Sequence, residues 1–196
     1  MKQKKALIIV DVQNDFCPGG ALPVPEGDRV VPVFNRYIEL FNAWGLPIYA
    51  TRDWHPEKTI HFKEFGGPWP PHCLQGAKGA EFHPGLKLPR DTVIISAGDT
   101  FEDEGYSAFE GHDEEGKSFI EVLRAAAIEH LLVGGLATDY CVRATVLDAL
   151  KNGFKVTLLI DAIKGIDVNE GDSRRALVEM MDKGAGMNTF DEVRSS

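Results

Sequence analysis

The chain has 196 residues, of which 43% are hydrophobic and 26% are charged. These proportions are typical of a soluble globular protein, and the length predicts one domain, residues 1–196. The net charge of −9 disfavours nucleic acid and anionic membrane surfaces as partners. The apolar run at residues 6–10 is too short for a signal peptide or a membrane span, and three cysteines cannot close a disulfide framework. A cytoplasmic location is therefore expected.

Apolar runs alternate with helical patterns along the chain, which predicts a three-layer α/β/α fold. The apolar runs have few polar residues, as is typical of strands covered on both faces of a parallel sheet. The predicted strands are residues 6–11, 47–51, 92–96, 130–134, 155–160 and 186–188, and the predicted helices are residues 29–44, 117–127, 140–151 and 170–183. Residues 53–88 are irregular and rich in Pro, Gly, His and aromatic residues, which indicates a functional loop.

Three chemically capable side chains follow the predicted strands. Ligands of open parallel sheets bind beyond the carboxyl ends of the strands, where this chain has Asp11, Asp53, Ala97 and Cys141. Cys141 opens a predicted helix, whose N-terminus favours a thiolate and offers N–H groups to an oxyanion, so it is a candidate nucleophile. Asp11 is a candidate general base for it. The alternatives are that Cys141 is an inert buried residue and that Asp11 only forms a turn.

A second group of residues predicts a metal site. Asp53 and His55 lie two residues apart, on one side of an extended segment, while His72 arrives from the loop and His61 lies between them. A carboxylate with two or three imidazoles suits Zn²⁺, Mn²⁺ or Fe²⁺ and leaves coordination positions open. The remaining histidines show no such pairing and are expected on the surface or in packing; these are His83, His112 and His130.

Five motifs together resemble the nicotinamidase/pyrazinamidase branch of the isochorismatase-like cysteine hydrolases, and they occur in that family's order. They are Asp11-Val12-Gln13-Asn14-Asp15-Phe16, Asp53-Trp54-His55-Pro56, Trp69-Pro70-Pro71-His72-Cys73, Tyr106-Ser107-Ala108-Phe109 and Gly135-Leu136-Ala137-Thr138-Asp139-Tyr140-Cys141-Val142. The resemblance implies a six-stranded parallel sheet. It also implies hydrolysis of nicotinamide to nicotinic acid and ammonia through a thioester, with pyrazinamide as a second substrate.

The resemblance assigns a role to each site residue. Cys141 is the nucleophile and Asp11 the base. One divalent ion is implied, most simply Zn²⁺, with Fe²⁺ or Mn²⁺ as alternatives. Its ligands are Asp53, His55 and His72, with His61 matching a fourth ligand of some members. Phe16 and Trp69 would sandwich the pyridine ring, with Tyr106 also at the substrate. The N–H groups of Ala137 and Cys141 would form the oxyanion hole, beside a cis peptide at Leu136–Ala137.

One position departs from the family pattern. The family's catalytic lysine belongs after the third strand, where this chain has Ala97, and no lysine occurs between Lys87 and Lys117. Either the lysine has been removed by engineering, or the chain is a natural relative with altered activity. Turnover is expected to fall strongly while substrate binding persists. The alternatives are a catalytically silent nicotinamide-binding relative and a cysteine hydrolase for another carboxamide. A homo-oligomer is compatible with the sequence.

Overall fold

The computed structural model describes residues 4–195, which alternate strands and helices. Six strands and five α-helices lie in this part of the chain. The strands are β1 (Lys5–Val10), β2 (Ile48–Asp53), β3 (Val93–Ala97), β4 (His130–Leu136), β5 (Lys155–Lys164) and β6 (Gly186–Asn188). The α-helices are α1 (Val30–Trp44), α2 (Phe119–Ala125), α3 (Arg143–Lys151), α4 (Asp172–Asp182) and α5 (Phe190–Arg194). No helix in the described range is long and apolar enough to cross a membrane.

All six strands form one parallel sheet in the order β3-β2-β1-β4-β5-β6. The prediction of a six-stranded parallel sheet is therefore confirmed. The direction of strand succession reverses between β1 and β4, and the ends of parallel strands at such a reversal border a crevice. The four strands that precede the candidate site residues are consequently neighbours in the sheet.

Helices cover both faces of the sheet, as the three-layer prediction requires. Alternate residues of β1 point to opposite faces, so Leu7 and Ile9 join one apolar cluster while Ile8 and Val10 join the other. The first cluster contains the apolar sides of α1 and α5, and the second contains those of α2, α3 and α4. Every strand residue from Ala6 to Val10 is therefore buried, which explains the uninterrupted apolar run.

The segment after β4 differs from the prediction. A π-helical turn, Thr138–Val142, precedes α3, so the α-helix begins at Arg143 and not at residue 140. Neither Thr138 nor Asp139 caps this segment with its side chain, and the Asp139 carboxylate instead accepts hydrogen bonds from the N–H groups of Ile166 and Asp167, at 3.0 and 2.8 Å. That contact ties the start of this segment to the loop after β5.

The end of β5 and the presence of a fifth α-helix also differ from the prediction, each for a physical reason. β5 continues to Lys164, beyond the predicted end at residue 160, because the register with β4 shifts and pairing resumes at Gly135 and Leu136. Helix α5 was not predicted, since five residues are too few to show a helical period. Its start is fixed by a capping box between Thr189 and Glu192.

Candidate active site

Four adjacent strands bring the candidate residues together at one edge of the sheet. β3 ends at Ala97 and β2 at Asp53, and these two residues are direct partners in the β2–β3 register. Asp11 follows β1, and Cys141 lies in the turn after β4. The order of the strands therefore brings these four positions together at one edge of the sheet, and the roles predicted for them stay predictions.

Asp11 and Cys141 form a buried acid–thiol pair. Their side chains are hydrogen-bonded to each other, and the Thr51 hydroxyl donates to Asp11 Oδ1 at 2.5 Å. Asp11 has a left-handed backbone conformation, with φ of 50°, directly after β1. No pattern in the sequence indicates that Thr51, the residue two before Asp53, supports the candidate base.

The electrostatics of this pair correct the expectation that Cys141 favours the thiolate. Burial raises the pKa of the Cys141 thiol well above its ordinary value, and the carboxylates of Asp11 and Asp53 raise it further. Burial also raises the pKa of Asp11, with a second contribution from Asp53. No lysine or arginine is buried among residues 4–195, so no ammonium or guanidinium offsets these effects. The start of the helical segment alone does not outweigh two carboxylates.

The predicted metal ligands form a compact buried cluster. Ring nitrogens of His55, His61 and His72 lie within 4.8 Å of one another. Asp53 Oδ2 lies 3.4 Å from His55 Nε2 and 3.5 Å from His72 Nε2. The other ring nitrogen of each of these two histidines is held by a backbone carbonyl: His55 Nδ1 by Gly98 at 2.9 Å and His72 Nδ1 by Pro70 at 2.8 Å. These bonds orient both Nε2 atoms toward Asp53.

The cluster fits a divalent ion. Two of its ring nitrogens, His55 Nε2 and His61 Nδ1, are buried without a hydrogen-bond partner. Buried polar atoms without partners are costly, and a metal ion would satisfy them. Ligands about 2.0–2.1 Å from a tetrahedral ion are about 3.3–3.4 Å apart, which matches the separations between Asp53 and the two imidazoles. Burial lowers the pKa of His61 to about 3, and its histidine neighbours add to this, so its ring is in the neutral, ligand form.

Gly98 orients one imidazole of the histidine cluster, a role that the sequence analysis did not predict. A Cβ atom on Gly98 would lie only 2.5 Å from His55 Cε1, and the residue has φ of 70°. Only glycine therefore allows the backbone carbonyl to approach the imidazole so closely. The Asp103 carboxylate accepts hydrogen bonds from the N–H groups of Gly98 and Gly105, which closes the loop behind His55.

Gln13 holds the backbone of Asp53, a predicted metal ligand. Its Oε1 accepts a hydrogen bond from the Asp53 N–H at 2.8 Å, and its Nε2 donates to the Asp53 carbonyl at 2.8 Å and to the Ala80 carbonyl at 2.9 Å. The side chain is fully buried, so these bonds have no water to replace them. Gln13 lies inside the first quoted motif, but nothing in the pattern indicated this role.

Replacing Gln13 with alanine is expected to lower the free energy of unfolding by about 2–3 kcal/mol, because buried groups of Asp53 lose their partners. Gln75 provides the matched control, since its Nε2 also donates to backbone carbonyls but the residue is exposed. We expect Gln75→Ala to cost less than about 1 kcal/mol. Urea unfolding of both variants measures the difference. Equal losses of unfolding free energy in the two variants would contradict the role of Gln13 in holding the Asp53 backbone.

Aromatic side chains line a pocket between the acid–thiol pair and the metal cluster. Phe16, Trp69 and Tyr106, for which the resemblance implies substrate contacts, all border it, together with Ala137 and Cys141. Trp69 Nε1 donates to the Tyr106 hydroxyl at 2.8 Å, which fixes the indole. The sequence analysis missed four further lining residues: Leu22, Val24, Tyr140 and Ile166. The Tyr140 ring packs edge-on against Trp69, with ring centres 4.9 Å apart.

The turn after β4 has the cis peptide bond that was predicted between Leu136 and Ala137. The oxyanion role of the Ala137 and Cys141 N–H groups stays a prediction.

The other histidines lie outside the cluster: His130 Nε2 bonds to the Thr157 hydroxyl and His112 Nε2 to Asp99 Oδ2, each at 2.8 Å. His83 Nδ1 accepts the Gly85 N–H at 3.1 Å.

Comparison with known proteins identifies the family. Residues 5–192 match the isochorismatase domain. The chain belongs to the isochorismatase family. The chain is also similar to a nicotinamidase of Escherichia coli K12. The two sequences are 39% identical over 202 residues, and the match covers 95% of each chain.

Solved structures agree with this family assignment. A pyrazinamidase of Pyrococcus horikoshii in complex with zinc is 51% identical, with a TM-score of 0.87, and the match covers 95% of this chain and 99% of that one. An L. infantum protein in complex with nicotinate is 35% identical, with the same TM-score, covering 97% and 95%. The isochorismatase-like fold predicted from the motifs is therefore confirmed.

Proposed function

We propose that this isochorismatase family member hydrolyses nicotinamide to nicotinic acid and ammonia. The observation that carries the proposal is the hydrogen-bonded pair of Asp11 and Cys141, which lies at a pocket shared with the ligands Asp53, His61 and His72. A nucleophile, a base and a metal cluster at one small aromatic pocket suit a flat heteroaromatic amide. The similarity to the Escherichia coli nicotinamidase and to the nicotinate complex supports the same substrate class.

The acid–thiol pair performs two proton transfers in this reaction. Asp11 takes the proton of Cys141 as the sulfur attacks the carboxamide carbon, and the carbonyl oxygen becomes an oxyanion near the N–H groups of Ala137 and Cys141. Asp11 then gives that proton to the departing nitrogen, so ammonia leaves and a thioester remains. Water, deprotonated by Asp11, attacks the thioester and releases nicotinic acid and the thiol.

Binding and orientation belong to the aromatic walls and the metal ligands. Phe16 and Trp69 border the pocket and would stack on the pyridine ring. Asp53, His55, His61 and His72 would hold a divalent ion, which we propose to be Zn²⁺, since their carboxylate and imidazole donors suit it. When bound, the ion would supply a Lewis acid that attracts the ring nitrogen of the substrate. Fe²⁺ and Mn²⁺ suit the same donors.

We further propose that Ala97 leaves the reaction slow. The alanine occupies the end of β3 beside Asp53 and contributes no charge between the two carboxylates and the thiol. Asp11 and Cys141 must separate charge when the proton moves, and no buried cation in residues 4–195 stabilises the result. The pocket walls do not include Ala97, so nicotinamide binding is expected to persist.

Removing one imidazole tests the metal site. We expect dialysed protein to retain about one equivalent of transition metal and His55→Ala to retain less than about a tenth of that, since the loss of a ligand weakens binding strongly. His83→Ala is the matched control, because its ring lies outside the cluster. Elemental analysis measures the retained metal, and nicotinamide affinity by calorimetry should fall in parallel. Equal metal content in both variants would contradict the ligand assignment.

The substrate is tested with a matched pair of amides. Benzamide has the size and carboxamide of nicotinamide but lacks the ring nitrogen. We expect tighter binding and faster ammonia release with nicotinamide and pyrazinamide than with benzamide. A preference for benzamide would count against the pyridine assignment, and tight nicotinamide binding without ammonia release at any enzyme concentration would favour the silent binding relative.

A further inference from the structure

A second group of potential ligand atoms lies beside the histidine cluster. One carboxylate oxygen from Asp11, one from Asp53 and the Cys141 sulfur all lie within 4.8 Å of one another. All three residues are buried, with 3%, 3% and 7% exposure respectively. Two carboxylates and a sulfur atom in so small a volume are a donor set for a transition metal ion.

The two carboxylate oxygens of Asp53 have different surroundings. Oδ2 is the oxygen near the imidazoles of His55 and His72, at 3.4 and 3.5 Å. Oδ1 is buried and has no hydrogen-bond partner. A buried carboxylate oxygen left without a partner is costly, and nothing in the histidine cluster requires both oxygens. Oδ1 is therefore available to a second ion.

The charge balance at this group also favours a cation. No lysine or arginine is buried in the described part of the chain, and the Asp53 register partner on β3 is Ala97, which carries no charge. Like charges held close together inside a protein repel strongly, because the interior screens them poorly. A cation among the three donors would relieve that repulsion.

We propose that Asp11, Asp53 and Cys141 bind a second divalent transition metal ion, with Asp53 bridging it to the ion of the histidine cluster. For any three atoms within 4.8 Å of one another, some point lies no more than about 2.8 Å from each of them. Small side-chain rotations would shorten this to the roughly 2.0–2.3 Å of zinc–oxygen and zinc–sulfur bonds. The thiol gives its proton to solvent as the sulfur–metal bond forms, so no oxidant or reductant is needed.

This second site would oppose catalysis. Cys141 cannot attack a carbonyl while its sulfur is bound to a metal ion, and Asp11 cannot accept a proton while it is a ligand. Metal in excess of the first equivalent is thus expected to inhibit the chain as it stands. A lysine at position 97 would place its own cation there and exclude the ion.

The experiment titrates metal-free protein with Co²⁺ alone, since thiolate ligation gives a sulfur-to-cobalt charge-transfer band in the near ultraviolet. We expect about two equivalents to bind, with the band accompanying the Cys141 site. Cys141→Ser should remove the band, while Cys17→Ser, the control at another buried cysteine, should keep it. Ala97→Lys should bind about one equivalent and show no band.

Specific outcomes separate this proposal from that of the hydrolase. His55→Ala should weaken the first ion but leave a charge-transfer band, because its ring is not a ligand of the second. Circular dichroism checks that every variant is folded, and Cys141→Ala serves if Cys141→Ser is not. Folded protein that binds one equivalent without a band, or a band that persists without Cys141, overturns the second site. Neither result bears on amide hydrolysis, which ammonia release measures separately.

Discussion

Replacing Ala97 with lysine is expected to raise ammonia release from nicotinamide by on the order of 10²-fold or more. Ala97 lies in register with Asp53 at the end of β3, and β2, which carries Asp53, separates β3 from β1, the strand that leads to Asp11. An ammonium here would favour both the carboxylate and the thiolate, and one charge-assisted contact is worth about 1.5–3 kcal/mol. Since 1.36 kcal/mol corresponds to a factor of ten in rate, one or two such contacts account for the expected gain.

The matched control is Ala97→Met, which adds a chain of similar length without a charge. We expect this variant to leave turnover at the level of the unsubstituted chain, and nicotinamide affinity to change much less than turnover in either variant. Steady-state kinetics and titration calorimetry on metal-loaded protein provide both values. If folded, metal-loaded Ala97→Lys protein releases no more ammonia than Ala97→Met, the hydrolase proposal fails for this chain.

The sequence predicted the sheet and most of the site because both depend on strand ends. Uninterrupted apolar runs are a consequence of burial on both faces, and β1 shows this in the alternation of its residues between two clusters. Once the strands are parallel, their carboxyl ends meet, so Asp11, Asp53 and Cys141 had to lie at one edge. His72 was predicted to join Asp53 and His55 from its residue type, since the loop that carries it has no regular period.

The supports of the site were not predictable in the same way. Gln13 contacts a backbone 40 positions away, and Gly98 accepts from an imidazole 43 positions away. Neither contact leaves a periodic pattern in the sequence. The state of Cys141 was misjudged for a related reason: a helix start is visible in the sequence, whereas the two carboxylates that raise the thiol pKa come from other strands. Local sequence patterns predict helices and strands, whereas the pKa of a buried side chain depends on residues that are distant in the sequence.

Removing the sulfur of Cys141 is also expected to change the rate of ammonia release strongly. In the Ala97→Lys background, Cys141→Ala is expected to reduce ammonia release by roughly 10³-fold or more, because the thioester has no other atom on which to form. Cys17→Ala in the same background is the matched control, since Cys17 is also buried but lies outside the pocket. It should retain most of the activity.

A direct observation of the covalent step complements the kinetics. Rapid acid quenching of the Ala97→Lys protein with nicotinamide, followed by mass spectrometry, should detect a nicotinoyl adduct on the peptide that contains Cys141. The adduct should be absent when Cys141 is alanine, although nicotinamide still binds. Turnover that survives Cys141→Ala, or an adduct carried by Cys17 or Cys73, would contradict this sulfur as the nucleophile. The hydrogen bond between Asp11 and Cys141 would then have only a structural role. Burying the carboxylates of Asp11 and Asp53 beside a thiol costs free energy, so this group is poorly suited to a purely structural role.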